Sequence, residues 1–199
     1  MNVVIIKYNA GNITSVYYAL RRLGVTAEIT DDFEAIQSAD RVIFPGVGEA
    51  STTMQYLREK KLDQLIAGLK QPVLGICLGL QLMCRYSEEG NTPCIGIFKE
   101  NVIKFSPMQD GENRIKVPQM GWNRIYDLKS ELFTGDMGNQ YTYFVHSYYA
   151  TTGTETIASC DYGNTFSAAL HRGNFYATQF HPEKSGKPGS QILKNFMEL

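Results

Sequence analysis

The stretch PVLGICLGLQLM (residues 72–83) is apolar almost throughout, yet it sets one cysteine, Cys77, between Gly75 and Gly79. Its first half, 72–77, reads as a strand. The second half opens a helix that the pattern carries through LGLQLMCRYS (78–87). A strand with no polar alternation is covered on both faces, which is the habit of parallel sheets. Upstream the same unit recurs. VVIIKY (3–8), AEIT (27–30) and RVIFPG (41–46) read as strands. Between them lie helices over ITSVYYALRRLG (13–24), ending on Gly24, and DDFEAIQSA (31–39), whose first-turn acids suit the macrodipole. From Glu49 to about Lys70, Met54, Leu57, Leu62, Leu65, Ile66 and Leu69 keep helical spacing.

Strand–helix alternation of this kind predicts an α/β, three-layer, flavodoxin-like open sheet, mostly parallel. Beyond about residue 88 the character changes to short β-like runs broken by Gly, Asn and Asp. These are CIGIF (94–98), NVIKF (101–105), NRIKVPQMGWNRIY (113–126), YTYFVHSYYA (141–150), TIASCDY (156–162), TFSAALHRG (165–173) and NFYATQF (174–180). They predict an antiparallel extension of the same sheet, closed by a helix over GSQILKNFMEL (189–199). No linker interrupts the pattern, so a single domain spanning 1–199 is expected.

Composition narrows the function classes. A hydrophobic fraction of 43% with 20% charged residues is globular rather than disordered. A net charge of −1 without a basic block gives no footprint for nucleic acid. The apolar run VVII is too short for a secretory h-region or a membrane span, so a soluble, cytoplasmic protein without a membrane partner is expected. The four cysteines, Cys77, Cys84, Cys94 and Cys160, show no C-x-x-C spacing. Thiols fit better than disulfides, and no metal or cofactor is expected.

If the strand ends at Cys77, the residue occupies a strand-to-helix turn at the carboxyl edge of the sheet, where open α/β folds place their ligands. GICLG then matches a nucleophile elbow with cysteine for serine. Glycines relieve the crowding of that turn, and the helix start favours thiolate. An inert core thiol is the alternative. A cysteine nucleophile needs a base and the base an orienting acceptor. QFHPEKSG (179–186) supplies His181 and Glu183, two apart. An extended backbone, held by Pro182, would project both to one side; an exposed turn is the competing reading. His146 reads as a core histidine or a pocket wall, and His171 as structural or exposed. FPGVG (44–48) follows the third strand and would open at the same edge. Its backbone N–H groups suit an oxyanion hole, with Leu78 N–H as the second donor, unless it is a plain turn. NAGN (9–12) reads as an N-cap or, less simply, an anion site.

PGVG, GICLGLQLM and FHPEKSG, in that order, resemble the class I (triad) glutamine amidotransferases, and the resemblance covers essentially the whole chain. PQMGWN (118–123), FVHSYY (144–149), GNITSV (11–16) and Lys184-Ser185 are most similar to the glutaminase subunits of imidazole glycerol phosphate synthases. Leu80 stands where methionine is commoner in CLGxQ, a departure that leaves Cys77, Gly79 and Gln81 in place.

The resemblance implies Cys77 as nucleophile, His181 as proton shuttle and Glu183 as its orienter. It implies Val47 and Leu78 N–H groups as the oxyanion hole, and Gly46, Gly48, Gln81, Ser147 and Tyr148 as the glutamine cradle. It also implies a partner, a (β/α)8-barrel cyclase subunit in a heterodimer. That subunit takes the ammonia and forms imidazole glycerol phosphate and the aminoimidazole carboxamide nucleotide of histidine biosynthesis. Trp122 and Lys184 flank matched motifs and are expected at the partner face near the ammonia exit, with ordinary core burial the alternative for Trp122. Related glutaminases serve other acceptors, among them anthranilate synthase, pyridoxal phosphate synthase and surface-sugar amidation. A flavodoxin-like protein with a redox-sensing Cys77 is the reading from another class.

Overall fold

Successive residues of strand β1 (Val3–Ile6) are buried in two different cores. Val3 and Ile5 join Leu20 and Phe196 on one side; Val4 and Ile6 join Ile36, Leu57 and Ile66 on the other. Side chains alternate across a strand, so a strand apolar at every position needs a cover on each face. The computed structural model describes residues 1–9, 12–106, 109–110, 113–135 and 140–199. Ala10 and Gly11, and with them the middle of NAGN, lie outside the described residues.

In chain order β1 is followed by α1 (Ile13–Arg22), β2 (Ala27–Thr30), α2 (Phe33–Ser38), β3 (Arg41–Gly46), α3 (Ala50–Glu59), α4 (Leu62–Gly68), β4 (Val73–Cys77) and α5 (Leu78–Met83). Then come β5 (Tyr86–Ser87), β6 (Thr92–Pro93), β7 (Asn101–Lys104), β8 (Gln109–Asp110), β9 (Asn113–Arg114), β10 (Gln119–Arg124), β11 (Tyr141–His146) and β12 (Tyr148–Ala150). The chain closes with β13 (Thr156–Tyr162), β14 (Asn164–Arg172), β15 (Phe175–Thr178) and α6 (Gly186–Glu198). The main sheet has the order β13-β14-β15-β4-β3-β1-β2. β2, β1, β3, β4 and β15 run parallel, and β14 and β13 add an antiparallel edge. Helices α1 and α6 cover the face holding Val3, and α2 to α5 cover the other. No helix among the described residues is long and apolar enough to cross a membrane.

The three-layer architecture matches the expectation, with four local differences. The long helix over 49–70 is two, because Lys61 adopts φ 58° between α3 and α4. The helix after Cys77 stops at Met83, since Arg85 and Glu88 amides are taken by the Glu100 and Val102 carbonyls along β7. CIGIF forms no strand. Its amides at Ile95, Gly96 and Phe98 bond the carbonyls of Leu82, Cys84 and Met83, satisfying the orphan acceptors at the end of α5. The antiparallel extension of the main sheet is confined to β13 and β14. β10 pairs with β11, and β12-β7-β5-β6 form a sheet of their own. Ser147 marks the break where the chain passes from one of these small sheets to the other.

Candidate active site

Three neighbouring parallel strands, β3, β4 and β15, end at one edge of the sheet. Gly46 pairs with Cys77 across β3 and β4, and Thr178 pairs with Ile76 across β15 and β4. The chain leaving each strand carries one motif. FPGVG forms the end of β3 and the two residues beyond it, the cysteine ends β4, and His181 lies just beyond β15.

The turn at Cys77 is a tight one. Its φ of 54° and ψ of −107° lie where non-glycine residues rarely sit, and α5 starts at the next residue. A Cβ on Gly79 would overlap the Phe44 carbonyl oxygen, and one on Gly75 would come within 2.6 Å of Met83 Sδ. The two glycines therefore let α5 settle directly on β3 and β4. Cys77 is left 6% exposed and lines a cavity of about 340 Å³.

His181 Nδ1 lies 2.8 Å from Glu183 Oε1, and both side chains are buried. Burial alone would lower the pKa of His181. The negative charge of Cys77 and hydrogen bonds to Cys77 and Glu183 outweigh it and carry the imidazole up to about 10. The reach from His181 to Glu183 is not made through extended chain, as the sequence suggested. Pro182–Lys184 form a 3-10 turn closed by Lys184 N–H to His181 O at 3.0 Å. Two bonds tie the turn to β11, and a third closes the turn on itself. His181 N–H donates to Tyr143 O at 2.9 Å, Ser185 Oγ donates to His181 O at 2.6 Å, and Tyr143 N–H donates to Ser185 Oγ at 3.0 Å.

The cavity is also lined by Val47, Gly48, Leu78, Gln81, Ser147, Tyr148 and Lys184. Gly46 stands behind this wall, wedged between the Tyr8 hydroxyl and Leu78. His146 is both of the things expected of it. It packs among Phe105, Phe144 and Phe166, and it lines the cavity. Burial lowers its pKa to about 4, so it is neutral, with Nδ1 2.7 Å from Tyr148 O. His171 stacks on Tyr176 and bonds Gly173 O, away from the cavity. Trp122 is not core. It is 54% exposed on β10, beside Met120 and Tyr141, which are exposed as well. The other three cysteines have thiols raised by burial, Cys94 and Cys160 to about 12.

Four residues at or beside the cavity carried no sequence signal of their own. Asn12 Nδ2 hydrogen-bonds Glu183 Oε1 and lies 3.4 Å from His181 Nδ1. It sits at the start of α1, but its side chain does not cap that helix. Tyr8 donates its hydroxyl to the Pro45 carbonyl, under the FPGVG segment. Gln179 places Nε2 3.7 Å from Cys77 Sγ. Glu89 lines the cavity with its carboxyl pKa raised by burial, while accepting from Ala50 N–H at 2.8 Å. Gln179 and Asn12 both fall within quoted motifs, which was the available hint.

Residues 4–199 match the family described as glutamine amidotransferase class-I. A relative from Bacteroides fragilis (strain YCH46), imidazole glycerol phosphate synthase subunit HisH, is 61% identical with full coverage of both chains. The protein of the same name from Haemophilus influenzae is 46% identical over 100% of this chain and 98% of its own. Among solved structures, a glutamine amidotransferase from Thermotoga maritima superposes with a TM-score of 0.62 at 14% identity. That match covers 100% of this chain and 83% of the other. At that identity it speaks to the fold alone.

Proposed function

Because this chain belongs to the class-I glutamine amidotransferase family, we propose that it is the glutaminase subunit of an imidazole glycerol phosphate synthase, with Cys77, His181 and Glu183 as its catalytic triad. The convergence of β3, β4 and β15 at one sheet edge carries this reading. Full-length likeness to subunits of that synthase supports the specific acceptor.

In the proposed reaction His181 holds the proton of Cys77, and the sulfur adds to the carboxamide carbon of glutamine. The carbonyl oxygen gains the negative charge, and the N–H groups of Val47 and Leu78 receive it. His181 returns the proton to the departing nitrogen, so ammonia leaves and a glutamyl thioester remains. Water then adds to that thioester with His181 as base, and glutamate departs as the thiolate is regenerated. Glu183 keeps one ring nitrogen of His181 engaged, so the other is directed at the sulfur. Gly46 and Gly48 shape the backbone of the cradle, and Gln81, Ser147 and Tyr148 hold the α-amino and carboxylate ends. The ammonia passes to a separate cyclase subunit in a cytoplasmic heterodimer, against a face including Trp122 and Lys184.

A glutamine-mimicking diazo-ketone tests the site. It is expected to alkylate Cys77 alone; equal labelling of Cys84 or Cys160 would refute the assignment. With the cyclase subunit present, Cys77→Ala is expected to abolish turnover on glutamine and keep turnover on ammonium salt. Equal loss of both would make Cys77 a structural residue.

A further inference from the structure

We infer that Gln179 is a further catalytic residue, donating a hydrogen bond from its side-chain amide to the Cys77 sulfur; this rests on Cys77 being the nucleophile. Gln179 is wholly buried just beyond β15, with its backbone N–H bonded to Ala168 O at 2.8 Å. Its Nε2 stands 3.7 Å from Cys77 Sγ, and its Oε1 stands 3.0 Å from Gln81 Nε2.

The orientation of this amide follows from its neighbours. A backbone carbonyl only accepts, and the group facing Tyr148 O at 2.8 Å is therefore the nitrogen of Gln81. That nitrogen has a second hydrogen, which points to Gln179. Turning Gln179 over would set two amide nitrogens against each other. The oxygen of Gln179 thus faces Gln81, and its nitrogen faces the sulfur. His146 Nδ1–H bonds the same Tyr148 carbonyl, whose two lone pairs accommodate both donors. Gln81, anchored to that carbonyl beside His146, holds Gln179 so that its N–H is aimed at the reacting atom.

Such a bond is strongest when sulfur is anionic, and the buried setting enlarges it. The sulfur's neighbour at 3.8 Å, the Val145 carbonyl, accepts from the thiol but repels the thiolate. The Gln179 bond therefore favours thiolate before attack. It weakens in the neutral thioester and returns as the sulfur leaves during hydrolysis. Gln179 acts on acylation and deacylation without exchanging a proton.

The test uses the full chain with its cyclase subunit, in the variants Gln179→Met and Gln179→Glu. Two readouts are taken: the pH profile of iodoacetamide alkylation at Cys77, followed on its peptide by mass, and kcat and KM for glutamine. In Gln179→Met, alkylation at neutral pH is expected to slow roughly tenfold, as for loss of one charge-assisted bond. The profile moves to higher pH, kcat falls by a similar factor, and KM changes less than about threefold. Gln179→Glu, of the same shape, is expected to slow alkylation further because it sets a carboxylate against the thiolate. Co-purification with the cyclase subunit and a melting curve check that each variant folds and docks. Alkylation profiles matching wild type in a variant that folds and docks would overturn the role of Gln179. If neither variant folds, Gln179→Asn takes their place with the same readouts, and an unshifted profile there overturns the role. Failure of the wild-type Cys77 to react ahead of Cys94 would instead refute the nucleophile itself.

Discussion

Asn12 donates its side-chain amide to Glu183 Oε1, the same oxygen that faces His181 Nδ1 at 2.8 Å. The carboxylate is thereby held between a neutral donor and the imidazole. Its other oxygen, Oε2, is buried without a hydrogen-bond partner among the described residues, so this single point of attachment fixes its orientation. The backbone at Asn12 has φ 71°, which asparagine tolerates better than most residues. Asn12→Gly preserves that conformation and deletes the donor. We expect kcat on glutamine to fall roughly tenfold or more, with KM and melting temperature little changed. Steady-state kinetics and a melt on the same sample decide it; an unchanged kcat would remove Asn12 from the site.

Packing at the elbow predicts a stability effect separable from chemistry. Gly79→Ala drives a methyl into the Phe44 carbonyl, a backbone atom that moves only if β3 moves. Overpacking of this kind costs about 1–3 kcal/mol, or roughly 2–10 °C in melting temperature for a domain of this size. Gly68→Ala, where nothing lies near the added methyl, is the control and should melt at or slightly above wild type.

Tyr8 is tied to the end of β3 beside Cys77. Its phenol is held in the protonated form, chiefly by burial and then by the Cys77 charge, so it donates to the Pro45 carbonyl across the working pH range. Tyr8→Phe should cost about 1 kcal/mol and release the Gly46 segment. The expected result is a kcat several-fold lower with KM nearly constant. A rise in KM with kcat unchanged would place Tyr8 in substrate binding instead.

His146 provides a pH signature. Folded, its pKa is lowered to about 4; unfolded, it returns to about 6.5. Between those values the unfolded chain binds the proton and the folded chain does not, so stability rises with pH across that window. Acidification from pH 7 toward 4 removes on the order of 3 kcal/mol through this residue. Urea midpoints of wild type and His146→Gln should therefore converge as the pH falls. Parallel curves would mean that another group governs acid sensitivity.

The first half of the fold was legible because its strands other than the edge strand β2 are buried on both faces, and such strands advertise themselves as unbroken apolar runs. RVIFPG and VLGIC are of this type, and each ends in its motif. The second half was harder to read. Its small sheets join pieces as short as two residues, and Tyr86 is strand only because Pro93 and Asn101 lie on either side of it. CIGIF has a strand's composition, but its amides are claimed by the end of a helix. In the site, His181 and Glu183 were readable because they are close in sequence. Asn12 lies 171 residues from Glu183, and Gln179 lies 102 from Cys77. A side-chain amide has no local periodicity to betray a partner so distant.

The position of β15 governs when the site can come into being. This strand is interior to the main sheet, seated between β4 and β14, although it is nearly the last made. A chain still emerging from the ribosome can pair β4 with β3, but the other edge of β4 stays open until residues 175–178 arrive. Closing that gap brings segments about a hundred residues apart together, a non-local step of the kind that slows folding. Cys77 is thus synthesised long before His181. Unfinished or truncated chains have the cysteine without the histidine, and under the proposed triad only molecules whose central sheet is complete release ammonia.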